Sequence, residues 1–323
     1  MAAPTPVVVT GGAGFIGANL CRTLLERGHD RIVVVDDLST GHRSNLDGLD
    51  VDLVEASVLD TDALAGTIRP GSVVVHLAAL GSVPRSVADP VTSHAVNATG
   101  TMAVLEAARA AGSPQVVLAS SSSVYGDSDA PAKHEGLPTA PKSPYGASKL
   151  AAEAYTLAHQ RTYGMGVLAF RFFNVFGPLQ TAGHVYAAVV PSFVDRALRG
   201  EPLVVHGDGR QSRDFTYVGT VCATIAHAVE RRVTFDGPVN LAFGTQVSLL
   251  EVIDLIAAEV GTGLVVENVA PRAGDIRHSK ADPTRLRSLF PEIEPVGIGR
   301  GIADTVAWVR SLPVGPTATD PRR

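Results

Sequence analysis

The first half of the chain alternates short runs of β-branched residues with longer segments of helical periodicity. The opening unit has an apolar run at residues 7–9, a helical pattern at about 15–27 and a second run at 31–36. Four later runs, 51–55, 72–77, 115–120 and 167–172, are interpreted as apolar strands buried on both faces. Parallel strands between two helical layers have this composition. The pattern therefore predicts an α/β fold with a doubly wound parallel sheet of the Rossmann type.

Two long alanine-rich segments interrupt the strands, at about 91–111 and 143–163. Their apolar residues recur at three- and four-residue intervals, which predicts helices that cover one face of the sheet. Beyond Gly177-Pro178 the elements become shorter, with helices expected near 190–199, 221–230 and 249–260 and a strand at 203–205. These short helices and strands predict a smaller mixed α/β domain for substrate binding.

These elements suggest how the chain is divided into domains. We expect residues 1–176, with a return segment at about 214–245, to form the dinucleotide-binding domain. Residues 177–213 and 246–312 would form the substrate domain. The tail at 313–323 is rich in proline and polar residues, and we expect it to be flexible.

Composition narrows the functional classes. The chain has 323 residues, of which 45% are hydrophobic and 18% charged, enough for a well-buried core. A net charge of −5 gives no broad basic field, so no nucleic-acid partner is expected. Cys21 and Cys222 lie far apart, which supports neither a disulfide framework nor a metal site. Without a signal-like start or a membrane-length apolar run, we expect a cytoplasmic protein with no membrane partner.

A glycine-rich loop connects the first strand to the first helix. Gly11, Gly14 and Gly17 recur at three-residue spacing between the apolar run and the helical pattern, which is the context that a dinucleotide loop requires. Gly11 permits the tight turn, Gly14 admits a pyrophosphate to the backbone, and Gly17 lets the helix approach the strand. The loop predicts a phosphate site at the positive end of the helix.

The cofactor is predicted from the end of the second strand. Asp36 lies nineteen residues beyond Gly17, where a carboxylate can accept both hydroxyls of an adenosine ribose and would repel a 2′-phosphate. NAD is therefore favoured over NADP. His42 and Arg43 would reverse this preference if they faced the ribose.

Tyr145 and Lys149 form the candidate catalytic pair. They are four residues apart at the start of a helix announced by Ser143-Pro144, so both side chains share one face. Free tyrosine has a pKa near 10 and is a poor base at neutral pH. Lys149 together with a positive nicotinamide ring would lower the pKa of Tyr145 enough for it to accept a proton from an alcohol. The serines at 120–123 follow a strand and are expected to orient the reacting oxygen.

Four segments together resemble the nucleotide-sugar epimerase/dehydratase family of extended short-chain dehydrogenases: residues 11–17, 121–126, 143–149 and 171–178. The resemblance implies tightly held NAD, a carboxy-terminal nucleotide-sugar domain and a homodimer packed through the two long helices. It also implies Ser121 as the catalytic hydroxyl, Tyr145 as the base and Lys149 as its electrostatic partner.

Further segments, residues 78–86, 186–191, 207–209 with 212–215, and 274–279, look like those of bacterial UDP-N-acetylglucosamine 4-epimerases. In that pattern Asn174, Arg213 and Arg272 hold the UDP pyrophosphate, and Asp275 holds the uridine ribose. Ser279 stands where a bulky residue in stricter UDP-galactose 4-epimerases restricts the C2 substituent, so it would leave room for an N-acetyl group.

The resemblance and the motifs together give two sets of candidate residues. The cofactor set is Gly11, Gly14, Phe15, Ile16, Gly17, Asp36, Ser39, Thr40, Gly41, Ser57, Val58, Leu77, Ala78, Ala79, Asn97, Tyr145, Lys149 and Phe172. The substrate set is Gly81, Ser82, Ser121, Ser122, Ser123, Tyr145, Asn174, Gln180, Val190, Arg213, Arg272, Asp275 and Ser279. No metal ligand is assigned.

The resemblance implies C4 epimerisation of a UDP-hexose, either gluco or N-acetylated, through a transient 4-keto sugar. Three alternatives stay open: a UDP-glucuronate 4-epimerase, a 4,6-dehydratase, and a cofactor-binding regulator without turnover. A dehydratase would need an acid/base pair where this chain has Ser122-Ser123. The chain also departs from the family at Ser57-Val58, where an aspartate often holds the adenine, and at Thr220, which is expected to cap a helix beginning at Val221.

Overall fold

A computed structural model describes residues 6–113, 115–181, 188–261, 263–271 and 277–312. The strands are β1 (Val7–Thr10), β2 (Ile32–Asp36), β3 (Asp52–Glu55), β4 (Val73–His76), β5 (Gln115–Ser121), β6 (Val167–Phe172), β7 (Asn174–Phe176), β8 (Leu203–His206), β9 (Ser212–Arg213), β10 (Phe215–Tyr217), β11 (Pro238–Leu241), β12 (Val247–Ser248) and β13 (Val266–Val269). The helices are α1 (Phe15–Glu26), α2 (Thr61–Thr67), α3 (Val83–Ala88), α4 (Pro90–His94), α5 (Gly100–Ala110), α6 (Pro144–Tyr163), α7 (Val189–Leu198), α8 (Val218–Glu230), α9 (Leu249–Val260), α10 (Thr284–Leu289) and α11 (Ile298–Ser311).

Seven parallel strands form the main sheet in the order β11-β6-β5-β4-β1-β2-β3. Helices α1 and α8 pack on one face, and the apolar side chains of α2, α5 and α6 pack on the other. The predicted doubly wound sheet is therefore confirmed. Because β1 pairs with β2 on one side and β4 on the other, the chain reverses its winding direction there. Ligands of such sheets bind at the carboxyl ends of the strands beside this reversal.

One predicted strand has a different environment from the one that its pattern suggested. The central strand β1 is fully buried, but β3 lies at the sheet edge, where Asp52 and Glu55 are exposed. The interpretation of residues 51–55 as a strand buried on both faces is therefore wrong. An edge strand pairs on one side only, which leaves room for its acidic ends to reach water.

The predicted helix at 91–111 is also interrupted. The chain forms α4, then a π-helical turn at Ala95–Thr99, and then α5. Inside this turn Asn97 donates to Leu80 O and Ser148 Oγ and accepts from Leu80 N. Single π-helical turns inside α-helices are frequently found at functional sites. Here the turn places the amide of Asn97 where it anchors Leu80, in the segment after β4.

Helix α8 begins earlier than predicted. It starts at Val218 rather than Val221, so Thr220 lies inside its first turn. The Oγ1 of Thr220 accepts a hydrogen bond from the amide of Val296 at 3.0 Å. The prediction that Thr220 caps the helix is therefore wrong, because its hydroxyl ties the helix to a distant loop instead.

A second apolar core lies outside the main sheet. Helices α7, α9 and α11 meet there through side chains such as Phe193, Ile256 and Ile302, which are nearly or fully buried. Strand β11, inside the predicted return segment, belongs to the main sheet, while β8 pairs with β13 beside the second core. The domain boundaries themselves stay a prediction.

Candidate active site

A cavity of about 580 Å³ opens at the carboxyl ends of β1, β2, β4 and β5. The predicted cofactor residues in its wall are Gly11, Gly14, Phe15, Ile16, Gly17, Asp36, Ser39, Thr40, Val58, Leu77, Ala78, Ala79, Tyr145, Lys149 and Phe172. Of the predicted substrate residues, Gly81, Ser82, Ser121, Tyr145 and Gln180 also lie in this wall. Motifs scattered over more than half of the chain thus meet at one place.

The glycine loop is packed too closely for side chains. Gly11 has a φ of +70°, and a Cβ there would lie 2.7 Å from Ala78 N. A Cβ on Gly17 would lie 2.2 Å from Gly11 O. Gly14, at the N-cap of α1, has no side chain over the first-turn amides, and it lies in the cavity wall. The loop therefore leaves a helix N-terminus open to an anion, which fits the pyrophosphate of a dinucleotide.

Asp36 lies beside this loop in the arrangement expected for a ribose site. Its two carboxylate oxygens accept hydrogen bonds from Ala13 N and Leu38 N, each at 2.9 Å, and burial raises the pKa of the carboxyl group. Arg43 pairs with Glu55 at 2.6 Å on the edge strand and does not line the cavity. His42, the other residue that could have reversed the preference, lines the cavity close enough to Asp36 to influence its pKa, but the carboxylate of Asp36 would still repel a 2′-phosphate. This part of the cavity fits the ribose of NAD.

Three predicted cofactor residues, Gly41, Ser57 and Asn97, are not in the cavity wall. All the hydrogen-bonding groups of the Asn97 amide bond to the protein, as described above. The hydroxyl of Ser57 accepts from the amide of Leu59 at 3.2 Å. For Asn97 and Ser57 the geometry supports a role in shaping the wall rather than direct contact. Sequence position alone does not distinguish the two roles.

Helix α6 brings the catalytic candidates to the cavity. Ser143 caps it by accepting from Gly146 N at 3.1 Å, which confirms the predicted helix start. A Cβ on Gly146 would lie 2.8 Å from Ser123 O, so the helix approaches the turn after β5 very closely. This close approach sets Tyr145 against Ser121.

Burial determines the electrostatics of the pair. Lys149 is only 5% exposed, its Nζ donates to Ala119 O at 3.0 Å, and desolvation lowers its pKa to about 8. Burial raises the pKa of Tyr145, and its hydrogen bond with Ser121 offsets part of that rise. The polypeptide alone therefore does not make Tyr145 a strong base. The expected role of Tyr145 as a base therefore depends on the positive charge of a bound cofactor.

The serines after β5 divide into two groups. Ser120 and Ser121 line the cavity, whereas Ser122 and Ser123 do not. Ser123 donates its amide hydrogen to Ser121 Oγ at 3.1 Å, which orients the Ser121 hydroxyl. Ser120 donates to Glu153 Oε2 at 2.6 Å, and Glu153 is held in a buried ion pair with an arginine of β6. The hydrogen bond from Ser120 to Glu153 therefore holds the carboxyl end of β5 in place.

A second cavity, of about 220 Å³, lies between α7, β8 and β9. The predicted substrate residues Asn174 and Arg213 line it. Val190 is buried in the second core, and Ser279 is buried with its amide donating to Ser212 O at 3.1 Å; neither lines either cavity. Arg272 and Asp275 lie outside the described residues.

Sequence reasoning missed several residues of the two walls. Arg85 of α3 lies in the first wall and within a segment that carried the family resemblance, so it could have been included. Asn45 also lines the first cavity and donates to Ala13 O at 2.8 Å. Gln211 and Ser192 line the second cavity. For the last three no local sequence signal exists, because their neighbours come from distant segments.

Among the residues that the structure describes, no group of three or more His, Cys, Asp or Glu side chains is arranged to hold a metal ion. None of their helices is both long and apolar enough to cross a membrane.

The cofactor wall and the Ser121/Tyr145/Lys149 cluster together define a short-chain dehydrogenase-type dinucleotide enzyme. The model of the NAD dependent epimerase/dehydratase family matches residues 7–242, and the chain belongs to this family. The predicted family is thus confirmed.

Individual relatives are similar over nearly their whole length. The chain is 38% identical to a UDP-glucose 4-epimerase of Mycolicibacterium smegmatis, over 94% of this chain and 98% of that protein. A UDP-N-acetylglucosamine 4-epimerase of Methanobrevibacter ruminantium, solved with UDP-N-acetylmuramic acid, has a TM-score of 0.89 at 33% identity, covering 95% and 98% of the two chains. A UDP-glucose 4-epimerase of Thermus thermophilus, solved with NAD, has a TM-score of 0.86 at 35% identity, covering 95% and 99%.

Proposed function

We propose that the protein is an NAD-dependent isomerase that interconverts C4 epimers of a UDP-hexose, UDP-GlcNAc/UDP-GalNAc or UDP-Glc/UDP-Gal. The observation that carries the proposal is that Ser121, Tyr145 and Lys149 share one cavity wall with the glycine loop. The epimerases among the relatives support the choice of reaction within the family.

The chain's own groups would move one proton at the sugar O4. NAD supplies reversible hydride transfer at C4. Ser121 orients the O4 hydroxyl, and Tyr145 accepts its proton as the alcohol becomes a ketone. Lys149, buried and four residues further along the same helix, would hold a positive charge on the helix face that carries the phenolate. Tyr145 then returns the proton when the opposite epimer is made, so it serves as base and acid within one cycle.

The second cavity would hold the nucleotide while the sugar turns. Asn174 and Arg213 line it, and we assign Arg272 and Asp275 to the same UDP site from the family pattern. An arginine fork donates two parallel charge-assisted hydrogen bonds to a phosphate. A fixed UDP with a rotating 4-keto sugar can present either face to the cofactor, which is what epimerisation requires.

The helices on the α6 side suggest a second copy of the chain as partner. Val87 and Val91 are 65% and 77% exposed on α3 and α4, and Tyr163 is 55% exposed at the end of α6. Exposed apolar side chains on adjacent helices favour association. We infer a homodimer through this face, in a cytoplasmic enzyme.

Two other activities compete with this proposal. A 4,6-dehydratase needs an acid/base pair beside the catalytic serine, and Ser122 and Ser123 supply none. Glu153, below the same strand, is occupied by its ion pair. A UDP-glucuronate 4-epimerase would use the same catalytic cluster and differ only in the contacts to C6.

One assay separates these functions. The purified protein would be incubated without added NAD with UDP-glucose, UDP-GlcNAc and UDP-glucuronate, and the products resolved by chromatography. We expect the C4 epimer of at least one of the first two. A product that absorbs near 320 nm after alkali would indicate a dehydratase instead, and the absence of any turnover would contradict the proposal.

A further inference from the structure

Glu153 is a buried carboxylate that the proposed mechanism does not use. It lies in the middle of α6 and is only 3% exposed. Its two oxygens accept hydrogen bonds from Nε and Nη2 of Arg171 at 2.9 and 2.6 Å, and Arg171 is equally buried. Relative to an apolar pair of similar size, a buried ion pair adds little or no net stability. Stability alone therefore does not account for this pair.

The arginine of the pair is held from several sides. Arg171 belongs to β6, and its guanidinium lies 4.6 Å from the centroid of the Tyr125 ring. The hydroxyl of Tyr125 donates in turn to Asn240 Oδ1 at 2.6 Å, on β11. Because the guanidinium is fixed in this way and grips both oxygens of Glu153, the carboxylate has one defined orientation.

A third hydrogen bond connects Glu153 to the first cavity. Ser120, in the cavity wall, donates its hydroxyl hydrogen to Glu153 Oε2 at 2.6 Å. A serine hydroxyl has a single hydrogen to donate, so this contact fixes the rotation of the Ser120 side chain. The ion pair is thus linked to the residue that directly precedes Ser121 on β5.

Glu153 also continues the arrangement of the catalytic pair along α6. It follows Lys149 by four residues and Tyr145 by eight, so the three side chains lie on one face of the helix at successive turns. Each bonds to a different one of the residues 119–121 at the carboxyl end of β5. Two of these three contacts belong to the candidate catalytic cluster, and the third belongs to Glu153.

We propose that Glu153 is a positioning residue for the proton transfer. Through Ser120 it fixes the end of β5, so that the hydroxyl of Ser121 stays aligned with that of Tyr145. Glu153 lines neither cavity and therefore acts without touching the substrate. The inference rests on the proposed function insofar as the proton of the sugar O4 passes to Tyr145.

The test removes each end of the link separately. Ser120→Ala deletes the donor, and Glu153→Met combined with Arg171→Met replaces the ion pair by an apolar pair that leaves no unpaired buried charge. We expect both proteins to lose about tenfold or more in kcat per bound NAD, with KM and NAD content nearly unchanged. A protein with all three substitutions should lose no more than either, because both remove the same hydrogen bond.

The control is Arg27→Met combined with Glu230→Met. It makes the same pair of substitutions in an ion pair between α1 and α8, where neither side chain lines a cavity. Its kcat should match that of the unaltered protein. If the apolar pair at Glu153 and Arg171 also keeps full kcat, whatever its melting temperature, the ion pair serves stability only and the proposal is wrong. Additive losses, or a loss of NAD together with kcat, would contradict it as well.

A second measurement requires no turnover. The hydrogen bond with Ser121 lowers the pKa of Tyr145, so a misaligned Ser121 should raise that pKa by about 0.5 or more. The phenolate absorbance of the NAD-bound protein, titrated with pH against Tyr145→Phe, reports this value. An unchanged pKa of Tyr145 in Ser120→Ala and in the apolar pair would overturn the proposal. A failure of the proposed function would instead appear as a lack of epimer formation by the unaltered protein.

Discussion

The two cavities of the molecule are built in different ways. The first is built around a glycine loop, a helix N-terminus and the ends of parallel strands. The second is made of side chains from α7, β8 and β9, beside the two-residue strand pair β9–β12. The first cavity can bind a dinucleotide through positions that one local motif specifies. The second depends on segments that meet only after folding.

Because the two cavities are built from different elements, we expect mutations in each to affect different ligands. Changes in the first cavity should affect the cofactor or the proton transfer and leave UDP binding intact. Changes in the second should affect the choice or affinity of the nucleotide sugar and leave NAD in place. Each prediction below tests this separation, beginning with the largest expected effect.

Tyr145→Phe removes the hydroxyl that is proposed to carry the proton. We expect turnover to fall by about 10³-fold or more, because the group proposed to accept and return the proton is gone. Affinities for NAD and UDP should change little, since the ring is retained. Epimer formation measured by chromatography, with calorimetry for both ligands, checks this. Tyr155→Phe, on the exposed face of α6, is the control. Full activity of Tyr145→Phe would refute the mechanism.

Gly17→Ala tests the backbone-built cavity. A Cβ at this position would lie 2.2 Å from Gly11 O, so the helix must move away from the loop. We expect a stability loss of about 3 kcal/mol and a protein purified without NAD. Gly66→Ala is the control, because no atom lies within 4 Å of a Cβ there. UDP affinity should survive in Gly17→Ala. If NAD remains bound at the normal level, the loop does not have the assigned role.

The sequence was most informative where the backbone itself forms the site. The spacing of Gly11, Gly14 and Gly17 requires a particular turn, and the turn fixes which atoms can approach. Tyr145 and Lys149 were equally accessible to prediction, since four residues of helix place them on one face. In these cases geometry is local, so the pattern and the structure agree.

Sequence reasoning was weakest where contacts are long-range. Nothing near Asn97 indicates that its amide is consumed by Leu80 and Ser148 across a π-helical turn. Thr220 resembled a cap, but its partner is the amide of Val296, 76 residues away. Residues 51–55 resembled an interior strand, because edge position is a property of the whole sheet order. Contacts of this kind depend on how distant segments pack together, so a short stretch of sequence does not predict them.

Lys149→Met tests the cost of holding a charge in the first cavity. Desolvation lowers the pKa of Lys149 from 10.5 to about 8, so the folded state binds this proton less tightly than the unfolded chain. Stability of the NAD-free protein should therefore rise as pH increases from 8 towards 10, where only the folded state has lost the proton. The variant should be more stable at pH 7 by up to about 3 kcal/mol, with the difference shrinking above pH 8.

Urea unfolding of both proteins at pH 7 and pH 9.5 measures this difference. Turnover should be lost in Lys149→Met at either pH, so that function and stability change in opposite directions at one residue. A variant that is less stable at pH 7 would mean that the hydrogen bond to Ala119 O outweighs the desolvation of the ammonium.

Ser279→Tyr probes the carboxy-terminal half and should have the smallest and most selective effect. Ser279 is buried, and its amide donates to Ser212 O, next to Arg213. Ser279 lines neither cavity, so its role is assigned from the family pattern, in which a bulky residue at this position restricts the C2 substituent. We expect kcat/KM to fall about tenfold for N-acetylated substrates, a change of about 1.4 kcal/mol, with UDP-glucose nearly unaffected.

NAD content should be normal, and Ser279→Ala should behave like the unaltered protein. Equal losses on both sugars would mean that this position does not discriminate at C2, and a loss of NAD would mean that the two cavities are not separable.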